Sequence, residues 1–61
     1  MVATYKITFN NTYEIKYIHQ VKSIMFTDDK VTFVTYWGLE FLPLSEILTL
    51  EIVSVYSKPE N

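Results

Sequence analysis

Cysteine is absent from this 61-residue chain, and glycine and histidine each occur once. Without cysteine the chain has no disulfide and no thiolate to hold a metal or attack a substrate. A structural zinc site needs several nitrogen or sulfur ligands, which His19 alone cannot supply. A single glycine, Gly38, excludes the glycine-rich loops that cradle phosphates. We therefore expect no metal and no cofactor.

Long apolar runs are also missing. No stretch approaches the roughly 20 apolar residues of a membrane-spanning helix. The N-terminal residues Met-Val-Ala-Thr-Tyr-Lys alternate between apolar and polar at once, without the apolar core of a secretion signal. We expect a cytoplasmic protein that has no contact with membranes.

What the chain does have is an alternation of apolar and polar residues, which is typical of β-strands with one buried face. It predicts an all-β fold: a small antiparallel barrel or a strongly bent meander sheet of five to six strands. The alternation of apolar and polar residues breaks near residues 44–48, where Ser45 can begin one short helical or 3₁₀ turn. We expect a single domain over residues 1–56 and a short polar tail over residues 57–61. The predicted strands cover residues 3–9, 13–18, 21–27, 30–36, 39–43 and 49–56.

Register separates the possible turns of the first hairpin, because residues paired across an antiparallel ladder share a face. A two-residue turn would place charged residues opposite Ile7 and Tyr5. A three-residue turn, Asn10-Asn11-Thr12, pairs Tyr5 with Tyr17 and keeps one face apolar. We therefore predict the three-residue turn, with Tyr13, Ile15 and Tyr17 facing the core.

The other two hairpins have different patterns. An Asp28-Asp29 turn pairs Phe26 with Val31 and keeps the apolar face intact. At Trp37-Gly38 the pattern allows a loop of two or three residues. Either length places an apolar residue, Leu42 or Phe41, opposite Phe33.

A meander followed by a helical turn and a final strand resembles the small barrels of the SH3-like and Sm-like type. The resemblance rests on Leu42-Pro43-Leu44-Ser45-Glu46-Ile47 before the last strand, and it covers roughly residues 21–56. Many unrelated small β-domains share this pattern. It therefore implies a general shape, and shape alone does not imply a function.

Size and composition predict a protein that works by contact. A chain this short buries only about 60% of the surface that it exposes when unfolded, yet 49% of its residues are hydrophobic. Small domains without disulfides or metals are commonly stabilised by oligomerisation. We expect a homodimer or higher oligomer, with Met1–Phe9 and Leu50–Tyr56 as candidate edge strands. The predicted protein-contact residues are Met25, Val34, Tyr36, Trp37 and Phe41.

Catalytic groups are scarce. Asp28 and Asp29 are explained as turn residues, and His19 is predicted in a surface connection with no nucleophile beside it. We expect a non-enzymatic protein that self-associates and binds or inhibits a partner protein. Viruses of bacteria encode chains of this length that inhibit host or defence proteins. By that analogy we expect a modulator of this kind, acting in the host cytoplasm.

The alternative function is a small nucleic-acid-binding barrel. Lys6, Lys16, Lys22 and His19 are its candidate binding residues, since lysines follow phosphates and aromatic rings stack on bases. A net charge of −2 disfavours it. The predicted register also disfavours it, because that register turns Tyr13 and Tyr17 toward the core and away from Lys6 and Lys16.

Overall fold

The protein forms one antiparallel sheet in a computed structural model that describes residues 1–57. Five strands and one 3₁₀ turn confirm the predicted all-β class and the turn before the last strand. Residues 58–61 of the predicted polar tail lie outside the described residues. The elements are β1 (Val2–Phe9), β2 (Ile15–Phe26), β3 (Lys30–Thr35), β4 (Gly38–Pro43), the 3₁₀ turn (Leu44–Glu46) and β5 (Ile47–Tyr56).

The strands are ordered β4-β3-β2-β1-β5, which leaves β4 and β5 as the two edges of an open sheet. The sheet is therefore not closed into a barrel over residues 1–57: β1 to β4 form an antiparallel meander, and β5 returns to pair with β1. The edge predicted at Leu50–Tyr56 is confirmed. The edge predicted at Met1–Phe9 is wrong, because β1 pairs with β2 on one side and with β5 on the other.

Asn10 connects the first hairpin to the 3₁₀ turn and so guides β5 back along β1. Its side-chain amide donates to the Ser45 carbonyl oxygen over 2.6 Å. Its backbone N–H donates to the Glu46 carbonyl oxygen over 2.9 Å. These bonds fasten the start of β5 beside the end of β1, where Phe9 pairs with Ile47.

The segments predicted as two strands, 13–18 and 21–27, are one long strand, β2, with a bulge near Gln20. Gln20 has a left-handed φ of 61°, and the pairing with β1 shifts between Ala3 and Tyr5. A bulge adds one residue to one strand and re-aims the side chains beyond it. As a result Ile18 and Val21 are both buried, although they are three positions apart.

The predicted register of the first hairpin is wrong. Phe9 donates its backbone N–H to the Glu14 carbonyl oxygen over 2.9 Å, and Tyr13 takes a φ of 59° inside the loop. The loop therefore holds one residue more than predicted. Tyr5 then pairs with Ile18, and Lys6 pairs with Tyr17. This shift turns the side chains of Tyr13, Ile15 and Tyr17 to solvent, where each is at least half exposed.

The second hairpin is confirmed, since Phe26 pairs with Val31 around the Asp28-Asp29 turn. Both lengths considered for the third loop predicted the wrong partner for Phe33. In the structure Phe33 pairs with Glu40. The turn residues there are Tyr36 and Trp37. The Thr35 hydroxyl holds this turn: it accepts from the Trp37 N–H over 3.0 Å and donates to the Gly38 carbonyl oxygen over 2.9 Å.

The core is small. Ile7, Ile18, Val21, Val31 and Phe33 form its buried cluster, and the Tyr5 ring meets the Phe33 ring edge-on at a centroid distance of 5.6 Å. Among the described residues, fifteen large hydrophobic side chains are exposed, against seven buried hydrophobic ones. Much of the apolar surface of this sheet therefore faces solvent.

Gly38 is expected to be required for the third turn. Its φ of +136° is a conformation that side-chain-bearing L-residues rarely adopt, while the space around its Cα is open. Gly38→Ala should therefore destabilise the protein by about 1–3 kcal/mol through backbone strain alone. Urea denaturation followed by circular dichroism measures this loss. A synthetic chain with D-alanine at position 38 is the control and should recover most of the stability, whereas equal losses for both would contradict strain as the cause.

Candidate functional site

A row of apolar side chains crosses the outer face of the sheet, the face opposite the buried cluster. Met25 pairs with Thr32, and Thr32 pairs with Phe41, which places all three on that face. Val34 and Leu39 form the next row on the same face. Met25, Leu39 and Phe41 are each more than half exposed. We call Met25, Val34, Leu39 and Phe41 the outer patch.

Lysines lie over aromatic rings beside the outer patch. The Lys30 ammonium lies 4.8 Å from the centroid of the Phe41 ring. The Lys22 ammonium lies 4.7 Å from the centroid of the Tyr36 ring. Both contacts are within the range of a cation–π attraction. The apolar surface is therefore bordered by positive charge.

Trp37 stands at one end of this surface and is 80% exposed. A cleft of about 270 Å³ separates Trp37 from the rings of Tyr17 and His19 on β2. The two β2 rings stack on each other at a centroid distance of 6.3 Å. Leu39 lines this cleft and also belongs to the outer patch, so the two surfaces are continuous.

Three of the five predicted contact residues, Met25, Val34 and Phe41, lie together in the outer patch. The other two, Tyr36 and Trp37, form the turn between β3 and β4. Sequence reasoning missed Leu39. The signal was present, because Leu39 and Phe41 are two positions apart and share a strand face, but the undecided length of the third loop hid it.

The residues of the nucleic-acid alternative do not share one face. Lys6 pairs with Tyr17, so both side chains lie on the outer face, together with His19. Lys16 pairs with Ile7 on the opposite face and forms an ion pair of 2.8 Å with Glu40. The expectation that Tyr17 faces the core, away from Lys6, was wrong. The Lys22 ammonium lies over the Tyr36 ring.

His19 is held by a contact with the neighbouring strand β1. Its Nδ1 atom lies 3.2 Å from the hydroxyl of the buried Thr4. His19 was predicted in a connection between strands, but it lies within β2, one residue before the bulge at Gln20. The contact with Thr4 orients the imidazole ring on the outer face beside Tyr17.

A second cleft, of about 290 Å³, lies at the C-terminal end of β1 beside Phe9, Asn11 and Thr12. Two carboxylates line it, those of Glu14 and Glu46. Residues 1–57 contain no group of three or more acidic, histidine or cysteine side chains placed to hold a metal ion. Within the same residues, no helix is long and apolar enough to cross a membrane.

Comparison with protein-family models, with curated proteins and with solved structures gave no match.

Proposed function

We propose that this protein is a non-enzymatic contact protein, which binds and modulates a partner protein through the outer patch and Trp37, and which self-associates. In this proposal it acts in the cytoplasm, as a modulator of a host or defence protein of the kind that viruses of bacteria encode. The chain then needs no cofactor, because its effect comes from covering part of the partner's surface.

The observation that carries the proposal is the continuity of exposed apolar side chains from Met25 and Phe41 through Leu39 to Trp37. Exposed apolar patches of this kind mark interaction sites on small soluble proteins. Aromatic residues and methionine are enriched in the centres of protein interfaces. A 61-residue chain gains little by exposing them unless another surface covers them.

The border of the patch defines the chemistry of the partner. Lys22 and Lys30 place positive charge beside Tyr36 and Phe41. A complementary surface is apolar at its centre and carries aspartate or glutamate where it meets these lysines. We expect added salt to slow association with the partner more than it speeds dissociation, since charges at the rim act mainly on the encounter rate.

The proposal is tested by affinity capture from a bacterial lysate, with and without nuclease, using matched variants as bait. A protein captured by the native chain and by Tyr13→Ala, but not by Phe41→Lys, supports it. Tyr13 is an exposed aromatic residue in the first turn, outside the outer patch. Equal capture by all three baits, or capture that is lost on nuclease treatment, contradicts it.

A second candidate function, binding of single-stranded nucleic acid, is favoured by one observation. Lys6 lies directly across from Tyr17, which is half exposed and stacked on His19. This combination offers a ring for base stacking beside a cation for phosphate. Glu51, which pairs with Lys6 from β5, and Glu40, which neutralises Lys16, weaken the positive field at this place.

This second function predicts binding that depends strongly on salt. A labelled single-stranded oligonucleotide should bind in fluorescence anisotropy, with an affinity that falls steeply as salt increases. Lys6→Ala should lower the slope of that dependence by about one unit. Glu14→Ala, at the other end of the strand pair, is the control and should leave the slope unchanged. Absence of binding at low salt would exclude this function.

A further inference from the structure

The edge strand β5 exposes apolar side chains along its second half. Ile52, Val53 and Val55 are each about half exposed, and Tyr56 is 37% exposed. Among the described strands, β5 pairs only with β1, so its other side presents unpaired N–H and C=O groups. An exposed, ten-residue, apolar edge is a template for another strand.

The other edge of the sheet is shorter than β5 and ends in a proline. β4 has six residues, begins at Gly38 and ends at Pro43, which has no N–H to donate. It also carries Glu40, which is ion-paired with Lys16. β5 contains no proline and only one charged residue, Glu51. Association through a strand edge is therefore favoured at β5.

The pairing of β5 with β1 shows which β5 side chains share a face. Ala3 pairs with Val55 and Tyr5 with Ile52, so Ile52 and Val55 lie on the same face. Val2 pairs with Tyr56 and Lys6 with Glu51, so Glu51 and Tyr56 share the other face. The register shift between Thr4 and Tyr5 leaves Val53 as the additional, bulged residue between these pairs.

This arrangement is complementary to itself. In an antiparallel pair of β5 strands whose two-fold axis passes between Val53 and Ser54, Ile52 of each copy lies opposite Val55 of the other. Glu51 then lies opposite Tyr56 and well away from the second Glu51. Paired residues must share a face, and both pairs do. Apolar side chains meet on one face, and like charges stay apart on the other.

We infer that a second copy of this chain is the occupant of the β5 edge, joined antiparallel about this axis into one continuous ten-stranded sheet. The inference rests on the self-association part of the proposed function and is independent of the partner protein. A two-fold axis makes the same edge serve both copies, so the interface closes at a dimer. The outer patch lies on β2, β3 and β4, and Trp37 lies in the turn between β3 and β4, so both stay accessible in this dimer.

Sedimentation equilibrium over a range of protein concentrations tests the inference. The native chain should weigh twice the mass of one chain, and Val55→Lys should weaken self-association by about 30-fold or more, as expected for a central interface residue. Leu39→Lys, an exposed position on the shorter β4 edge, is the matched control and should remain dimeric. A monomeric native chain, or a loss of dimer for Leu39→Lys but not for Val55→Lys, overturns the inference.

Cysteine cross-linking tests the register, because the native chain has no cysteine. The double variant Ile52→Cys with Val55→Cys should form disulfide-linked dimers on mild oxidation, since directly paired Cα atoms lie about 5 Å apart. Ile52→Cys alone should not, because the two Ile52 positions are offset by three residues along the strands, or roughly 10 Å. Cross-linking of the single variant, or no cross-linking of the double variant, would contradict this register.

Circular dichroism shows whether Val55→Lys still folds, and capture of a partner protein separates the two proposals. Val55→Lys should retain the sheet signal and should capture the partner as well as the native chain does. A folded monomer that keeps the partner supports both proposals. A dimer that captures no partner contradicts only the function proposed for the outer patch.

Discussion

Replacing Phe33 with alanine is expected to remove most of the stability of this protein. Phe33 is fully buried in the core cluster, where its ring meets the ring of Tyr5. Deleting a buried phenylalanine side chain costs about 3–5 kcal/mol. At roughly 0.05–0.15 kcal/mol per residue, a domain of this length has about 3–9 kcal/mol in total. Phe33→Ala should therefore populate the unfolded state measurably at 25 °C.

Phe26→Ala provides the matched control, because the same atoms are removed from the same hairpin. Phe26 is 58% exposed, so its loss leaves little cavity and should cost much less. Urea denaturation followed by circular dichroism, at one fixed protein concentration, measures both variants. If the two midpoints fall by the same amount, the core does not lie where the structure places it.

Replacing Trp37 with alanine is expected to weaken partner binding by about 30-fold or more, as loss of a large anchor residue commonly does. Trp37 is 80% exposed, so its indole ring contributes little to the core. Its backbone N–H, which donates to the Thr35 hydroxyl, is kept in the variant. The sheet signal and the urea midpoint should therefore stay close to the native values.

The binding loss is measured by titration of the captured partner with the native chain, Trp37→Ala and Tyr13→Ala. Tyr13 is 69% exposed in the other turn and should bind normally when replaced. Unchanged affinity of Trp37→Ala would remove Trp37 from the interface. A variant that no longer folds would instead show that the indole ring is part of the core.

The second hairpin was predictable because its pattern carries local information. Around Asp28-Asp29, a two-residue turn keeps the apolar residues aligned, and this register is the one formed. The position of Met25 and Phe41 on the second face of the sheet follows from the same alternation. Period-2 patterning therefore identified three of the four outer-patch residues, Met25, Val34 and Phe41, but not Leu39.

The first hairpin was not predictable in this way, because two residues adopt unusual backbone angles. Tyr13 and Gln20 both have left-handed φ values near 60°. Neither is a glycine or an asparagine, the residues that normally mark such positions. At each position the chain contains one residue more than a regular hairpin or strand would. The side chains that follow therefore point to the opposite face of the sheet. Regular alternation therefore placed Tyr17 in the core.

The face of the sheet on which Glu40 lies could not be predicted from the sequence pattern either. Glu40 lies opposite Phe33 on the core side of the sheet, where an isolated carboxylate would be unfavourable. Lys16, which is distant in sequence, neutralises it over 2.8 Å. Only the fold brings these two residues together. The contribution of the pair to stability is small, since both side chains remain about 40% exposed.

The position of β1 between β2 and β5 also affects how the chain folds. β1, β2, β3 and β4 pair with neighbours in sequence and can form as successive hairpins. The pairing of Val2 with Tyr56 joins the two ends of the described chain, and contacts between such distant residues form slowly. During synthesis β1 has no partner on one side until the last strand has been made. The sheet is therefore completed only after β5 has been made, and until then its exposed edge is β1 rather than β5.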